Sequence, residues 1–232
     1  MRKLGFSILI LTLLSCTNSK NNNMGLFDSL FGKKETTSQP EKQVSILDTT
    51  HLMITAEMLD ETIFWNIIDK SLKNTDNQED QEQFLIREIS TLTPHEMIGF
   101  RLRTDKLLYD TYNSEMWCAG YIMNGGCSDD GFEYFRNWII SRGRDVFYKA
   151  KENPDNLITE VSKDIEFYEF ESFWYVALEA FNKKTGKDLY DYIDNENFNT
   201  KEGQYPQFEF TWQENNPESM KKICPKLFKK MQ

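Results

Sequence analysis

The residues best suited to chemistry are gathered in one short run, Asn124-Gly125-Gly126-Cys127-Ser128-Asp129-Asp130, with Arg136 and Arg144 further along. An amide, a thiol, a hydroxyl and two carboxylates fall within one turn of chain, and two guanidinium groups are at hand to steady negative charge. Such a set could serve a small hydrolase or a metal-dependent enzyme. Consecutive carboxylates on a helix point about 100° apart, so Asp129 and Asp130 alone do not make a paired acid/base couple. A divalent cation would need one of them together with a distant acid such as Glu115 or Glu171. Cys127 gains from a helix N-terminus, which lowers a thiol pKa, and loses to the flanking carboxylates, which raise it. With no histidine nearby in sequence, a small buried thiol suits Cys127 better than a nucleophile does.

The same residues are also what a turn between two helices requires. Gly125 and Gly126 permit the positive φ of a sharp reversal, Ser128 can cap the next helix, and Asp129 and Asp130 suit its positive end. Arg136, six or seven residues beyond the acids, or Arg144 after the helix could close a buried salt bridge that pins the turn. Structure outweighs catalysis in this reading, so no catalytic residue and no cofactor are assigned. A zinc site is not expected either: the histidines are His51 and His95 alone, and CxxC, HExxH and EF-hand patterns are absent from the sequence. His95 belongs to an exposed first turn.

The elements that position this run can be read from periodicity. Leu59 to Leu72 carries apolar residues at helical spacing behind acids at Asp60 and Glu61, and Gln78 to Leu92 repeats the pattern. Thr93-Pro94-His95-Glu96 has the form of a capping box with proline in the first turn, opening a helix to about Asn113. Ser114 to Met123 brings Trp117, Cys118 and Tyr121 to the turn. Phe132, Phe135, Trp138 and Ile139 give the next helix its core face until Gly143, and Arg144 to Lys151 continues as a further helix. Glu166 to Phe181 is predicted as one long helix. Tyr205 to Trp212 alternates weakly, and Pro225 to Lys230 is a basic end with two apolar anchors. The expectation is an all-α, irregular multi-helix single domain over residues 51–188. Residues 189–232 form a C-terminal extension packing on it, weakly structured or with short β segments.

The run Asn124 to Asp130, followed by Phe135, Arg136, Trp138 and Gly143-Arg144, resembles the core of the bacterial DUF4240 family, whose function is uncharacterised. Phe64-Trp65 behind an acidic turn matches the family's opening, and family members often end on a similar basic tail. The resemblance spans roughly Asp60 to Gly186. It implies the grouping and the helical fold, and supplies no activity.

Upstream, Arg2 and Lys3 precede an apolar stretch, Leu4 to Leu14, that is short for a bilayer span. Leu13-Leu14-Ser15-Cys16 then has the form of a lipobox. Residues 1–16 are therefore expected to be a lipoprotein signal, with Cys16 as the lipid attachment point and residues 17–50 as a flexible tether. The predicted localisation is a cell-envelope lipoprotein on a bacterial membrane. Translation from Met24 would instead give a cytoplasmic protein. The net charge of −10 excludes sequence-independent nucleic-acid binding and is compatible with a basic protein partner. With Cys16 in the leader, Cys118, Cys127 and Cys224 remain; Cys118 and Cys127 could pair in an oxidising compartment. The preferred reading is a non-enzymatic binding module, the alternative an enzyme centred on the Asn124–Asp130 turn.

Overall fold

A computed structural model describes residues 52–200 and 204–232. The leader, Cys16, the tether and His51 lie outside the described residues.

The described chain is helical with no sheet, an all-α fold. Helices α1 (Glu61–Asn74) and α2 (Gln78–Ile89) form a hairpin, each opened by a side-chain cap: Asp60 accepts from the Thr62 and Ile63 amides, and Asn77 from that of Asp80. In α3 (Pro94–Asp110) the Thr93/Glu96 capping box is formed, with Pro94 in its first turn. Then come α4 (Ser114–Asn124), α5 (Asp129–Ser141) and α6 (Arg144–Glu152). Gly143, at φ 93°, makes the reversal between the last two.

The segment predicted as one helix from Glu166 to Phe181 is divided. Residues 166–170 carry no helix, Glu171–Tyr175 is a 3-10 turn, and α7 covers only Val176–Thr185. The reason is tertiary. The Phe170 amide donates to the Tyr134 carbonyl at 3.0 Å and the Tyr168 amide to Asn124 Oδ1 at 2.8 Å, so these amides are spent on α5 and on the turn. Tyr168, Phe170, Phe173 and Trp174 still enter the core. A periodic apolar pattern therefore marks burial here without marking a helix.

The C-terminal extension also differs in detail. It holds two short helices, α8 (Pro217–Ile223) and α9 (Pro225–Met231), and Tyr205 to Trp212 forms no strand; it is a strap of aromatic side chains instead. Tyr205 stacks on Tyr112 at 4.3 Å, and Trp212 donates its indole N–H to the Ser114 carbonyl at 2.9 Å. Leu227 anchors α9 in the core, with Phe228 half-buried beside it. The carboxylate of buried Asp155 accepts the main-chain amides of Lys226 and Leu227, each at 2.9 Å, and so caps α9 from 71 residues earlier in the chain.

The core is built on α3 and α5, flanked by α7 and α2, with Phe64, Phe100, Phe132, Phe135, Phe173 and Phe181 fully enclosed. Near the N-terminus, Thr55 and Ile193 form a parallel bridge, and the Leu59 amide donates to the Gly99 carbonyl at 2.9 Å. Gly99 is required there. A Cβ on it would stand 2.7 Å from the Leu59 nitrogen, closer than any side chain tolerates.

Candidate functional site

The turn is built as its residue types demand. Gly125 ends α4 at φ 69°, a left-handed cap, and the Gly126 amide donates back to the Tyr121 carbonyl at 3.0 Å. The Trp117 indole donates to the Cys127 carbonyl at 3.0 Å, fixing the far side. Ser128 Oγ then accepts from the Gly131 amide at 3.1 Å and opens α5. Asp129 and Asp130 stand exposed in the first turn, where the helix dipole favours them.

Of the predicted site residues, Asn124, Cys127, Ser128, Asp129 and Asp130 share this turn, and neither arginine joins them. Arg136 is 1 % exposed. Its guanidinium donates to the Leu108 carbonyl at 2.7 Å and the Phe132 carbonyl at 3.2 Å, and lies against the rings of Phe132, Tyr205 and Tyr112 at 4.5, 4.8 and 5.0 Å. Burial pushes its pKa down, opposed by the Tyr205 hydroxyl. The salt bridge expected between Arg136 and the acids is not formed, because the acids sit on the helix end outside the core while Arg136 reaches inward. Arg144 opens α6, beyond the far end of α5, whose Asp129 and Ser141 ends stand about 18 Å apart at 1.5 Å per residue. It faces Glu61, with Nε 3.9 Å from Oε1.

What does join the turn is the segment 166–171. Glu169 Oε1 lies 3.4 Å from where a Cβ on Gly131 would be, and Glu171 accepts from the Tyr134 hydroxyl. Desolvation and then the charge of Glu171 raise the Glu169 pKa. Desolvation, Glu169 and Asp129 hold the Cys127 thiol up at about 12, against the pull of Arg136. Asn124 uses Oδ1 on Tyr168, while its Nδ2 is buried with no hydrogen-bond partner among the described residues. Of the distant acids, Glu171 is close to the turn. Glu115 is at the opposite end of α4, accepting from Thr211 at 3.3 Å. No group of three or more His, Cys, Asp and Glu side chains placed to hold a metal ion occurs among the described residues. Cys118, Cys127 and Cys224 are free thiols. Cys118 meets Cys224 rather than Cys127: a hydrogen bond between the two, and then burial, push the Cys224 pKa up.

A second polar cluster escaped sequence reasoning. Glu61 accepts from the Tyr148 hydroxyl at 2.7 Å and the Trp65 indole at 3.2 Å, with Arg144 over the Tyr148 ring at 5.6 Å. It borders a cavity of about 330 Å³ that Asn66 and Asp69 also line. The signals were local and four residues apart, Glu61 with Trp65 and Arg144 with Tyr148, but nothing in one sequence joins the two helices. His95 is exposed, 3.8 Å from Glu57.

Residues 59–183 of the 232 match a family model described as "Protein of unknown function (DUF4240)", and the chain belongs to that family. Searches of curated proteins and of solved structures return no match.

Proposed function

We propose that the protein is a non-enzymatic α-helical binding module, held at the bacterial envelope by a lipidated Cys16, that recognises a basic protein partner. The docking face is the one formed where residues 166–171 run beside the start of α5. The observation that carries this reading is that Asp130, Glu171 and Tyr175 all act on Tyr134, that Glu169 lies beside Glu171 and joins Asp129 at Cys127, and that Tyr175 and Phe167 of the same segment are 46 % and 57 % accessible. The Glu169 pKa is raised because desolvation, and then the charge of Glu171, oppose its ionisation. A lysine or arginine from a partner would relieve both, and aromatic faces also accept such cations. The residues 17–50 between anchor and domain would give this face reach from the membrane.

The alternative, a small hydrolase or metal-dependent enzyme at the same turn, draws on one feature, the unpartnered Nδ2 of Asn124, which could donate to a substrate oxygen. A thiol held at about 12 supplies little thiolate at neutral pH, so Cys127 serves that reading poorly.

The test places a photo-crosslinking residue at Phe167 of the full chain in bacterial cells, with and without Glu166→Lys, Glu169→Lys and Glu171→Lys together. A discrete protein adduct lost on charge reversal is expected; an unchanged adduct pattern would sink the docking face. Fatty-acid labelling of wild type and Cys16→Ser tests the anchor separately, and an unlabelled wild-type protein would remove it.

A further inference from the structure

A cavity of about 390 Å³ lies apart from the turn, between the end of α1, the start of α2, the end of α5 and the bend at Asp164 and Ile165. Two side chains on its wall are built to donate and have hydrogen-bonding capacity to spare. Arg142 is half-buried and makes no side-chain ion pair among the described residues. Its Nε and Nη2 donate to Ser141 Oγ, both at 3.2 Å, and Nη2 also to Gln81 Oε1, leaving Nη1 without a protein acceptor. Trp138 is 2 % exposed, stacked on Phe135 and edge-on to Tyr168, yet its indole N–H meets no acceptor among the described residues. Burial lowers the Arg142 pKa, opposed by the charge of Glu160, yet no carboxylate comes within ion-pair distance of it among the described residues. Such a group lining an open volume is what a ligand carboxylate would satisfy.

The mouth has the opposite sign. Asp76 and Asp164 line the same cavity and are solvent-exposed, while Leu72 and Ile165 supply apolar wall. A simple anion would be met by Arg142 and repelled by the two aspartates. A simple cation would meet the reverse.

We propose that this cavity binds a small zwitterion of the α-amino-acid class, a free amino acid or a dipeptide, its carboxylate received by Arg142 and Trp138 and its ammonium by Asp76 and Asp164. The volume exceeds that of a single amino acid, and the apolar wall gives a side chain somewhere to lie.

The test is calorimetric titration of the full chain with the twenty common α-amino acids and with glycyl dipeptides. The des-amino and des-carboxy analogues of the tightest binder are titrated beside it. At least one zwitterion should bind, and the two series distinguish the free from the peptide source. Arg142→Gln should weaken binding by roughly tenfold or more through loss of the charged hydrogen bonds. Trp138→Phe, which keeps the ring packing, should weaken it by a smaller factor, and covers the case in which Arg142→Gln does not fold. Asp76→Asn with Asp164→Asn should bring the amino acid down to the level of its des-amino analogue. No binding across both series, equal affinity for the des-amino analogue in the wild type, or affinity unchanged in both Arg142→Gln and Trp138→Phe would overturn the assignment.

Discussion

The guanidinium of Arg136 on α5 donates to the carbonyl of Leu108, in the last turn of α3, at 2.7 Å. The side chain that the sequence offers as a partner for Asp129 and Asp130 is thus the C-terminal cap of a different helix, seated in an aromatic box. Replacing it with methionine would fill most of the volume, leave the Tyr205 hydroxyl without its donor and leave the Leu108 carbonyl only the longer bonds from the Thr111 amide and hydroxyl, both at 3.3 Å. The expected loss is about 2–3 kcal/mol in urea unfolding. Lysine should recover little, lacking the planar fork. Asn at Asp129 or Asp130 should cost under about 1 kcal/mol, the size of an exposed helix-end charge effect. Equal losses at Arg136 and the two aspartates would mean they act as one network after all.

Two glycines separate backbone from side-chain crowding. Alanine at Gly99 would press on the Leu59 nitrogen at 2.7 Å and the Glu57 carbonyl at 3.1 Å, neither of which can rotate away. Alanine at Gly120 would meet Phe135 at 3.0 Å and Cys127 Sγ at 3.2 Å, both side chains. Gly99→Ala should cost about 3 kcal/mol and Gly120→Ala about 1–2 kcal/mol, within the range for overpacking. Thermal melts that rank them the other way would show that the segment before α1 can shift.

Glu61 supplies a pH dependence. Its pKa is lowered, first by the hydrogen bond from Tyr148 and then, against desolvation, by Trp65, Arg103 and Arg144. A depressed carboxyl contributes stability that is complete above its ordinary value of 4.5 and is lost as pH falls through the lower folded value. Because Glu61 is 38 % exposed, the gap between wild type and Tyr148→Phe should be only about 0.5–1 kcal/mol at pH 7 after allowance for solvent. That gap should close toward pH 3. A difference that stays constant down to pH 3 would place the contribution of Tyr148 in packing.

With its pKa at about 12, Cys127 should react with a disulfide reagent at pH 8 on the order of a thousandfold more slowly than a free thiol. Cys118 and Cys224, both fully buried, should be slower still until the protein unfolds. Labelling of Cys127 at the rate of an ordinary thiol would reopen its use as a nucleophile.

Much of the fold was legible because its punctuation is local. Thr93 with Glu96, Ser128 and Gly125 act within three or four residues of where they stand, and each cap is found where the sequence puts it, while Asp60, expected as a first-turn acid, is the N-cap of α1. The turn was legible for the same reason. The course of residues 166–170 was not, since what straightens them is the Tyr134 carbonyl and the Asn124 amide from distant parts of the chain. The charged core was hidden as well. Arg101, packed 3.2 Å above the Trp174 ring and 2.9 Å from Asp105, is written like any surface helix arginine. Partners 73 and 83 residues apart, such as Arg101 with the Trp174 carbonyl and Arg144 with Glu61, leave no spacing to read.

The Asp155 cap on α9 has a temporal side. During synthesis its carboxylate emerges 71 residues before the Lys226 amide that it accepts, an interval of roughly 4–14 s at ordinary elongation rates. Throughout that delay the groove for Leu227 stands unfilled and the thiols of Cys118 and Cys224 have not met. The final latch falls only when α9 arrives.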